Sequence, residues 1–428
     1  MNNKCKNCGY ILNLKIADLS YAPPSNSFLK KDDLQNVESY YPLKVYLCKN
    51  CLLAQVDEYK NIKEIFSKNY VYFSSYSSTW VAHAKAYAEM IIKKLNLNKS
   101  SQVIEIAAND GYLLQFFKEI PSIGIEPTSS TAKVAKSRGI EIIERFFDKA
   151  LATILLKADL IIGNNVLAHV PNIRDFVAGV RIVLKKDGIA NFEFPHILNL
   201  IKYNQFDSIY HEHFYYYSLH SVMDLFKREN LYIYDVDILK THGGSLRIYA
   251  SKNKNKPSKN IIKVLALEKK HNLHNKNGYL SLESNMQKIK IDFLSLLLKI
   301  KKNDKKVIAY GAAAKGNTLL NYCGVKNDLI AYAIDNSPHK QNLFLPGSHI
   351  EVKSRDFIKE QIPDYIWIPA WNIKDEIIKE VESIFKSIIC NADSKNSDMG
   401  GGSMQIYHHY SKSKNHYQAH HYLQREDR

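Results

Sequence analysis

Four apolar-framed residues, Val103-Ile104-Glu105-Ile106, run directly into Ala107-Ala108-Asn109-Asp110-Gly111-Tyr112 and then Leu113-Leu114. An unbroken short run of this kind reads as a strand buried on both faces, followed by a tight turn and a helix. A second such run, Ser122-Ile123-Gly124-Ile125-Glu126, ends on a carboxylate. Two buried strands joined through a turn predict an open α/β sheet, whose ligands collect at the carboxyl ends of the strands. A turn backbone beside an acid that closes the next strand suits an adenosine, the acid taking the ribose hydroxyls. The dinucleotide fingerprint needs three glycines, and Gly111 is the one present. A cationic adenosine ligand that brings no pyrophosphate to the turn, such as S-adenosylmethionine, therefore fits better than a dinucleotide.

With 428 residues the chain has room for two or three domains with cores of their own. Its apolar runs are short and punctuated by Lys, Asn or Asp, so no membrane span is expected. The opening Met1–Tyr10 has no apolar core and no cleavage site, so a cytoplasmic protein is the expectation. The net charge of +16 suggests nucleic acid at first sight. Residues 251–306, however, hold fifteen Lys against four acids, a net of +11, in a segment that also carries Ile289, Phe293, Leu296, Leu297 and Ile300 at helical spacing. That pattern describes a solvated lysine face on a packed helix. A surface attracting a diphosphate is compatible with it.

The most specific motif is a pair of knuckles, Cys5-Lys6-Asn7-Cys8 and Cys48-Lys49-Asn50-Cys51. Each sets two thiolates on one tight turn, and four thiolates make a closed tetrahedral zinc site with no position left for water, hence a structural one. Cys323 and Cys390 stand alone and read as packing residues. Next comes Tyr70–Trp80, rich in aromatics and hydroxyls, leading into a helix with Trp80, Ala84, Tyr87, Met90 and Ile91 on one face. The buried run Ala158–Gly163 continues into Asn164-Asn165 and on to His169 and Pro171, and amides at a strand's carboxyl end are better ligand contacts than core residues. A further strand, Ile189–Phe194, ends at Pro195-His196, and Leu231–Ile238 and Ser245–Ala250 read as strands closing the sheet around Thr241-His242-Gly243-Gly244.

Between these lies Tyr210-His211-Glu212-His213, framed by aromatics. Its spacing is not that of a metal-binding helix, and His213 with Tyr210 is able to serve one substrate from a loop. A histidine beside a carboxylate suits a base working near neutral pH. A second strand–glycine turn–helix follows at Lys306–Thr318, with Lys315 at a helix N-terminus suited to phosphate. From about Asn391 periodicity is lost, Gly400-Gly401-Gly402 and five histidines follow, and this tail is expected to be disordered.

Taken in order, the two knuckles, Tyr70–Ser75, Glu105–Gly111, Gly124–Pro127, Asn164–Pro171, Asp207–Phe214, His242–Gly244, Tyr310–Gly316, Asp335–Lys340 and Ala370–Asn372 resemble the S-adenosylmethionine-dependent C-methyltransferases of deoxysugar biosynthesis, which act on nucleotide-linked 4-keto-6-deoxyhexoses. The resemblance runs from Cys5 to about Phe385; Ala108 stands where the family often has Ser, and the tail departs from the usual glycine-led apolar strand. It implies an α/β protein in four parts: a zinc-binding domain over 1–66, a Rossmann-like class I methyltransferase domain over 67–250, a second Rossmann-like α/β domain over 251–390 that helps hold the nucleotide sugar, and the tail over 391–428. It implies catalytic roles for Tyr72 (Tyr70 less so), His169, Tyr210, Glu212 and His213.

The reaction expected is removal of a proton next to the keto group by His213, positioned by Glu212, with Tyr210 or Tyr72 on the developing enolate oxygen. Donor contacts are expected from Glu105, Ala107, Asn109, Asp110, Gly111, Glu126, Pro127, Phe147, Asn164 and Asn165, and substrate contacts from His196, His242, Lys315, Asn317 and Asn372. Zinc is expected at Cys5, Cys8, Cys48 and Cys51, and no nucleic acid or membrane partner; a monomer or weak homo-oligomer is the expected state. Two other readings stand beside this one: a basic zinc protein that binds nucleic acid, and a nicotinamide-dependent enzyme acting on a nucleotide sugar.

Overall fold

The computed structural model describes residues 4–66, 72–393, 404–410 and 419–425. Two compact units emerge: one comprises residues 1–18, 44–201 and 211–282, the other 19–43, 202–210 and 283–428. This division is discontinuous along the chain. Two short segments, Leu19–Leu43 and Lys202–Tyr210, belong to the second unit although they precede most of it in the chain.

The first unit is built on a seven-stranded sheet. Its strands, after β1 (Leu14–Ala22), β2 (Tyr41–Leu47) and β3 (Ala54–Val56), are β4 (Val103–Ile106), β5 (Ser122–Ile125), β6 (Glu141–Ile143), β7 (Ala158–Asn164), β8 (Leu184–Pro195) and, beyond β9 (Tyr215–Tyr216), β10 (Tyr232–Leu239) and β11 (Ser245–Ser251). They lie in the order β10-β11-β8-β7-β4-β5-β6. The pairs β4–β5, β5–β6, β4–β7 and β7–β8 are parallel, and β11 runs antiparallel between β8 and β10. Connections lead outward in opposite directions from β4 and from β7, so the crevice at their carboxyl ends is the topological switch point where such sheets take ligands. The parallel strands are buried on both faces by helices such as Ser78–Leu95, Ser129–Ser137 and Ile173–Val183, which is why they read as unbroken apolar runs. This is the class I methyltransferase arrangement of a Rossmann-like sheet.

One local expectation fails. After the Gly111 turn the chain makes only a 3-10 turn, Leu114–Phe116, before β5 begins, with no helix between. Leu113, Leu114 and Phe117 are all buried there, filling the space a helix would need.

In the second unit, β12 (Val307–Tyr310), β13 (Ala333–Ile334), β14 (Val352–Lys353) and β15 (Tyr365–Trp367) form a parallel sheet in the order β14-β13-β12-β15. The helix Ser281–Lys302 buries Leu282, Met286, Ile289, Phe293, Leu297 and Ile300 and exposes Lys288, Lys299, Lys301 and Lys302, as the charge pattern implied. The tail also differs from expectation: Met404–Tyr410 (β16) and Ala419–Arg425 (β17) pair antiparallel, and β17 extends the sheet through β15. A strand there satisfies the backbone of β15 without any apolar alternation in its own sequence.

Candidate active site and zinc centre

The two cysteine knuckles fold identically. In each, the first cysteine's carbonyl accepts the N–H of the fifth residue of the knuckle, Gly9 N to Cys5 O at 2.8 Å and Leu52 N to Cys48 O at 2.9 Å. That fifth residue is left-handed in both, φ 74° at Gly9 and φ 56° at Leu52. The Sγ–Sγ distances are 3.5 Å for Cys5–Cys51 and for Cys8–Cys48, and all four sulfurs lie within 4.8 Å of one another. Zinc–sulfur bonds of about 2.3 Å in a tetrahedron put sulfurs about 3.8 Å apart, so the cluster fits zinc. It is the metal-type group of this kind among the described residues. Gln55 backs it, donating to Cys5 Sγ at 3.3 Å and accepting the Lys6 N–H at 3.1 Å. The next strand, β3, then pairs with β9, and Val56 N–H donates to the Phe214 carbonyl at 2.9 Å.

At the switch point the turn after β4 places Ala107, Asn109 and Gly111 in left-handed conformation, φ 61°, 51° and 79°. Alternate residues thus follow a glycine-rich path although just one of them is glycine. Gly111 has no substitute: a Cβ there would come within 2.2 Å of Ile140 Cδ1. Ala107 holds the same backbone region at a cost of about 1–2 kcal/mol. Counting glycines in the sequence therefore understated this turn.

Three carboxylates surround it, and Glu105 and Asp110 are wholly buried. Glu126 is buried as well, and it is already engaged within the protein: it accepts the Asn109 N–H and the Thr128 N–H, each at 2.9 Å, and the Thr128 hydroxyl. Expected on a ribose, its carboxylate here ties the end of β5 to the turn. Pro127 follows it, part-exposed at the strand end. Burial, with the charges of Glu126 and Asp110 added, drives the Glu105 carboxyl well above the usual range. Both Glu105 oxygens, Asp110 Oδ1, Asn164 Oδ1 and Asn165 Oδ1 are buried acceptors without a partner. Five acceptors on the ends of β4 and β7, three of them carboxylate oxygens, ask for a ligand rich in donors and positive charge. The ammonium and sulfonium of S-adenosylmethionine meet that requirement.

The segment Tyr72–Ser75 straps over this turn. Asn109 Oδ1 accepts the Ser74 N–H at 2.9 Å, its Nδ2 donates to the Tyr72 carbonyl at 3.2 Å, and Asp110 Oδ2 accepts from Ser75. Arg138 clamps the strap, donating to the Asp110 carbonyl at 2.8 Å and to Ser75 Oγ at 3.0 Å. Tyr70 lies outside the described residues. Ser74 and Ser75 fall in the hydroxyl-rich stretch the sequence marks out, without a role assigned to them, while Arg138 carries no sequence signal.

On the other side, Trp80 stacks on Tyr112 at 5.8 Å and meets the edge of His242 at 4.9 Å. Asn164 Nδ2 donates to the Tyr112 hydroxyl at 3.2 Å, and Asn165 Nδ2 to His242 Nε2 at 3.0 Å. His169 closes the turn after these asparagines, and its ring stands 4.7 Å from that of His213, at 64°. Phe214 N–H donates to the Ala168 carbonyl at 2.7 Å, which fixes the His213 segment against the end of β7. Burial lowers His169 to about 4, opposed in part by its bond to the Glu212 backbone. His169 is thus neutral near pH 7 and does not repel a proton on His213. Glu212 is buried beside them.

Two expected contacts are instead packing residues. His196 is buried with Nε2 2.7 Å from Glu268 Oε1, and Glu268 also accepts the Leu219 N–H (2.5 Å) and His220 N–H (3.1 Å), so the pair caps the helix Leu219–Arg228. Phe147 packs on Phe176 at 5.3 Å beneath Gly179, within the core of the first unit. Residue type and position near a strand end do not distinguish a rim histidine from a helix-capping one.

The second unit repeats the strand–turn–helix device. Gly311 follows β12 with φ 110°, and Ala312 N–H donates to Asp335 Oδ2 at 2.9 Å, Asp335 being the residue after β13. Lys315, in the first turn of the helix Ala314–Cys323, donates to Asn372 Oδ1 at 3.2 Å and lies over the Trp371 ring at 4.2 Å. Trp371 Nε1 donates to Asp207 Oδ2 at 2.6 Å. Asn317 is buried with both carboxamide atoms unpartnered. Lys315 and Asn372, both expected from the sequence as substrate contacts, are thus brought together, and Asp207 joins them through Trp371. Tyr210 belongs to this unit.

Among the described residues no helix is long and apolar enough to cross a membrane. Family models match three consecutive parts of the chain: a putative zinc binding domain over residues 5–66, a methyltransferase domain over 80–236, and a C-methyltransferase C-terminal domain over 240–388. The C-methyltransferase NovU of Streptomyces niveus is 29% identical over 386 residues, covering 88% of this chain and 91% of that protein. Among solved structures, a possible histamine N-methyltransferase from Thermotoga maritima shares 18% identity with a TM-score of 0.35, over 45% of this chain and 100% of the other. Magnesium protoporphyrin IX methyltransferase from Synechocystis PCC 6803 shares 12% with a TM-score of 0.32, over 40% and 79%. With its three domain matches in order, its sulfur cluster and its strand order, the chain is an S-adenosylmethionine-dependent C-methyltransferase with an N-terminal zinc-binding domain.

Proposed function

We propose that the acceptor is a nucleotide-linked 4-keto-deoxy sugar, methylated on the carbon beside the keto group. The observation that carries this reading is the His169–His213 pair standing directly after the Asn164-Asn165 end of β7, on the rim that also holds the unpartnered acceptors. Carbon has no lone pair to offer a methyl group, so a base has to generate one, and a keto group acidifies the neighbouring C–H. His213 is the base; the neutral His169 at its side accommodates the proton it takes up. Tyr72 donates to the developing enolate oxygen, and Glu212 orients His213. When bound, the donor supplies an electrophilic methyl on a positively charged sulfur. Glu105 and the Asn109–Gly111 turn hold its amino-acid end, with Asn164 and Asn165 completing the acceptors.

The second unit's Gly311 turn, with Lys315 at a helix N-terminus and Asn372 beside it, suits a diphosphate. Asn317 and His242 are further candidate contacts to the acceptor. Incubation with donor and a panel of 4-keto nucleotide sugars, read by mass spectrometry, tests the assignment. One added methyl on such a sugar is the expected product; no methylation of any keto sugar in the panel rules the class out.

Glu105 gives a prediction with two signs. An unpartnered buried carboxylate destabilises the ligand-free protein, so Glu105→Gln should raise its Tm by about 2–4 °C. The same change should weaken S-adenosylhomocysteine binding by more than about tenfold, since a charge-assisted bond to the ammonium is lost. Calorimetric titration beside a thermal scan reads both, and unchanged affinity would remove Glu105 from the donor site.

His169 predicts a pH dependence. Its folded value of about 4 lies below the ordinary 6.5, so between these the unfolded chain takes the proton first. The stability due to a neutral His169 is fully present above pH 6.5 and is lost as pH falls toward 4. Because the residue is part-exposed, the loss is about 1–3 kcal/mol. His169→Gln should flatten the fall of Tm across that window; an unaltered slope would place the decline elsewhere.

A further inference from the structure

Glu193 lies two residues before the end of β8, wholly buried, and the reaction outlined above makes no use of it. Its carboxylate gathers three side chains from three separate elements. Arg247, directly opposite on β11, donates to Oε2 at 2.5 Å; His83, from the helix Ser78–Leu95, lies 2.9 Å from the same oxygen; the Thr241 hydroxyl donates to Oε1 at 2.6 Å. Burial alone would raise this carboxyl, but the His83 bond and the Arg247 charge hold it down near 2, so the anchor is a standing charge.

The Glu193 backbone acts at the same place. Its carbonyl accepts the Asn165 N–H at 2.7 Å, and Asn165 is left-handed with φ 54°. The Thr241 hydroxyl meanwhile pins the turn Thr241–Gly244, whose next residue, His242, accepts from Asn165 Nδ2 at 3.0 Å. With its N–H and one Nδ2 hydrogen engaged, Asn165 has its Oδ1 buried and unpartnered. The sole freedom of the carboxamide, rotation about its side-chain bonds, is removed by the His242 bond.

We propose that Glu193 and Thr241 are positioning residues for the methyl donor: they grip Asn165 at its backbone directly and at its carboxamide through His242, and so aim Asn165 Oδ1 at the ammonium group of S-adenosylmethionine. The inference rests on Asn165 being a donor contact. Removing Glu193 or Arg247 alone would bury an unpaired charge and endanger folding, so the informative changes are at Thr241. Thr241→Val keeps the shape and deletes the hydroxyl.

S-adenosylhomocysteine binding to the full chain, measured calorimetrically, should weaken about tenfold in Thr241→Val and in Asn165→Ala, and return to within about twofold of wild type in Thr241→Ser. The double variant Thr241→Val/Asn165→Ala should bind no worse than Asn165→Ala alone, because Thr241 acts through Asn165. Wild-type affinity in Asn165→Ala overturns the Asn165 contact itself. Wild-type affinity in Thr241→Val, or additive losses in the double variant, overturns the relay while leaving the contact standing. A Thr241→Ser protein as weak as Thr241→Val assigns the effect to packing of the methyl group and overturns the relay as well.

Discussion

His213→Ala is expected to lower turnover by about 10²–10⁴-fold, the usual worth of a positioned general base. S-adenosylhomocysteine affinity should stay within about twofold, because the role assigned to His213 is toward the acceptor and not the donor. The second readout separates base loss from general damage. In heavy water, with S-adenosylhomocysteine in place of the donor, the wild type should exchange the proton beside the keto group of a 4-keto nucleotide sugar, and His213→Ala should not. Exchange at the wild-type rate in the variant would assign the base elsewhere. The expectation stands on the packing of His213 against His169 at 4.7 Å and on the bond from Phe214 N to Ala168 O, which hold the ring at the end of β7.

Loss of zinc should reach the same place from the other end of the chain. Cys48→Ser is expected to abolish the single equivalent of tightly held zinc, and with it the folding of the residues around both knuckles. Structural zinc contributes about 10–16 kcal/mol to folding in small zinc peptides. The strand that leaves the second knuckle, β3, pairs with β9 through Ala54–Tyr216 and Gln55–Tyr215 and bonds Phe214 through Val56. Asn7 also donates to Asp224 Oδ2 at 2.9 Å in the helix after β9. His213 is the residue before Phe214, so the variant should lose turnover by at least about tenfold even where the seven-stranded sheet still melts as wild type. Metal analysis, limited proteolysis over residues 4–56 and turnover form one experiment. A Cys48→Ser protein that retains a full equivalent of zinc, or that loses zinc with turnover intact, contradicts this brace.

Much of the sheet was legible. Strands buried on both faces advertise themselves as unbroken apolar runs, so Val103–Ile106, Ser122–Ile125 and Ala158–Asn164 stood out. The zinc centre was legible because each knuckle is a local object, closed by hydrogen bonds within six residues. The turn conformation was not. Asn and Ala adopt the left-handed region at a modest cost, so the path of Ala107, Asn109 and Gly111 is hidden from a count of glycines.

The chain's own order of residues determined which segments are strands, where thiolates meet and which strand ends carry amides and acids, since each depends on neighbours a few positions away. Only the tertiary structure decided what those side chains do. His196 and His242 each follow the end of a strand, yet one closes a helix through Glu268, 72 residues on, and the other holds Asn165, 77 residues back. Glu193 gathers Arg247, Thr241 and His83 from distances of 54, 48 and 110 residues. A buried charge takes whatever partners the fold brings within hydrogen-bond reach, and that proximity is a property of the packed sheet, which no local pattern encodes.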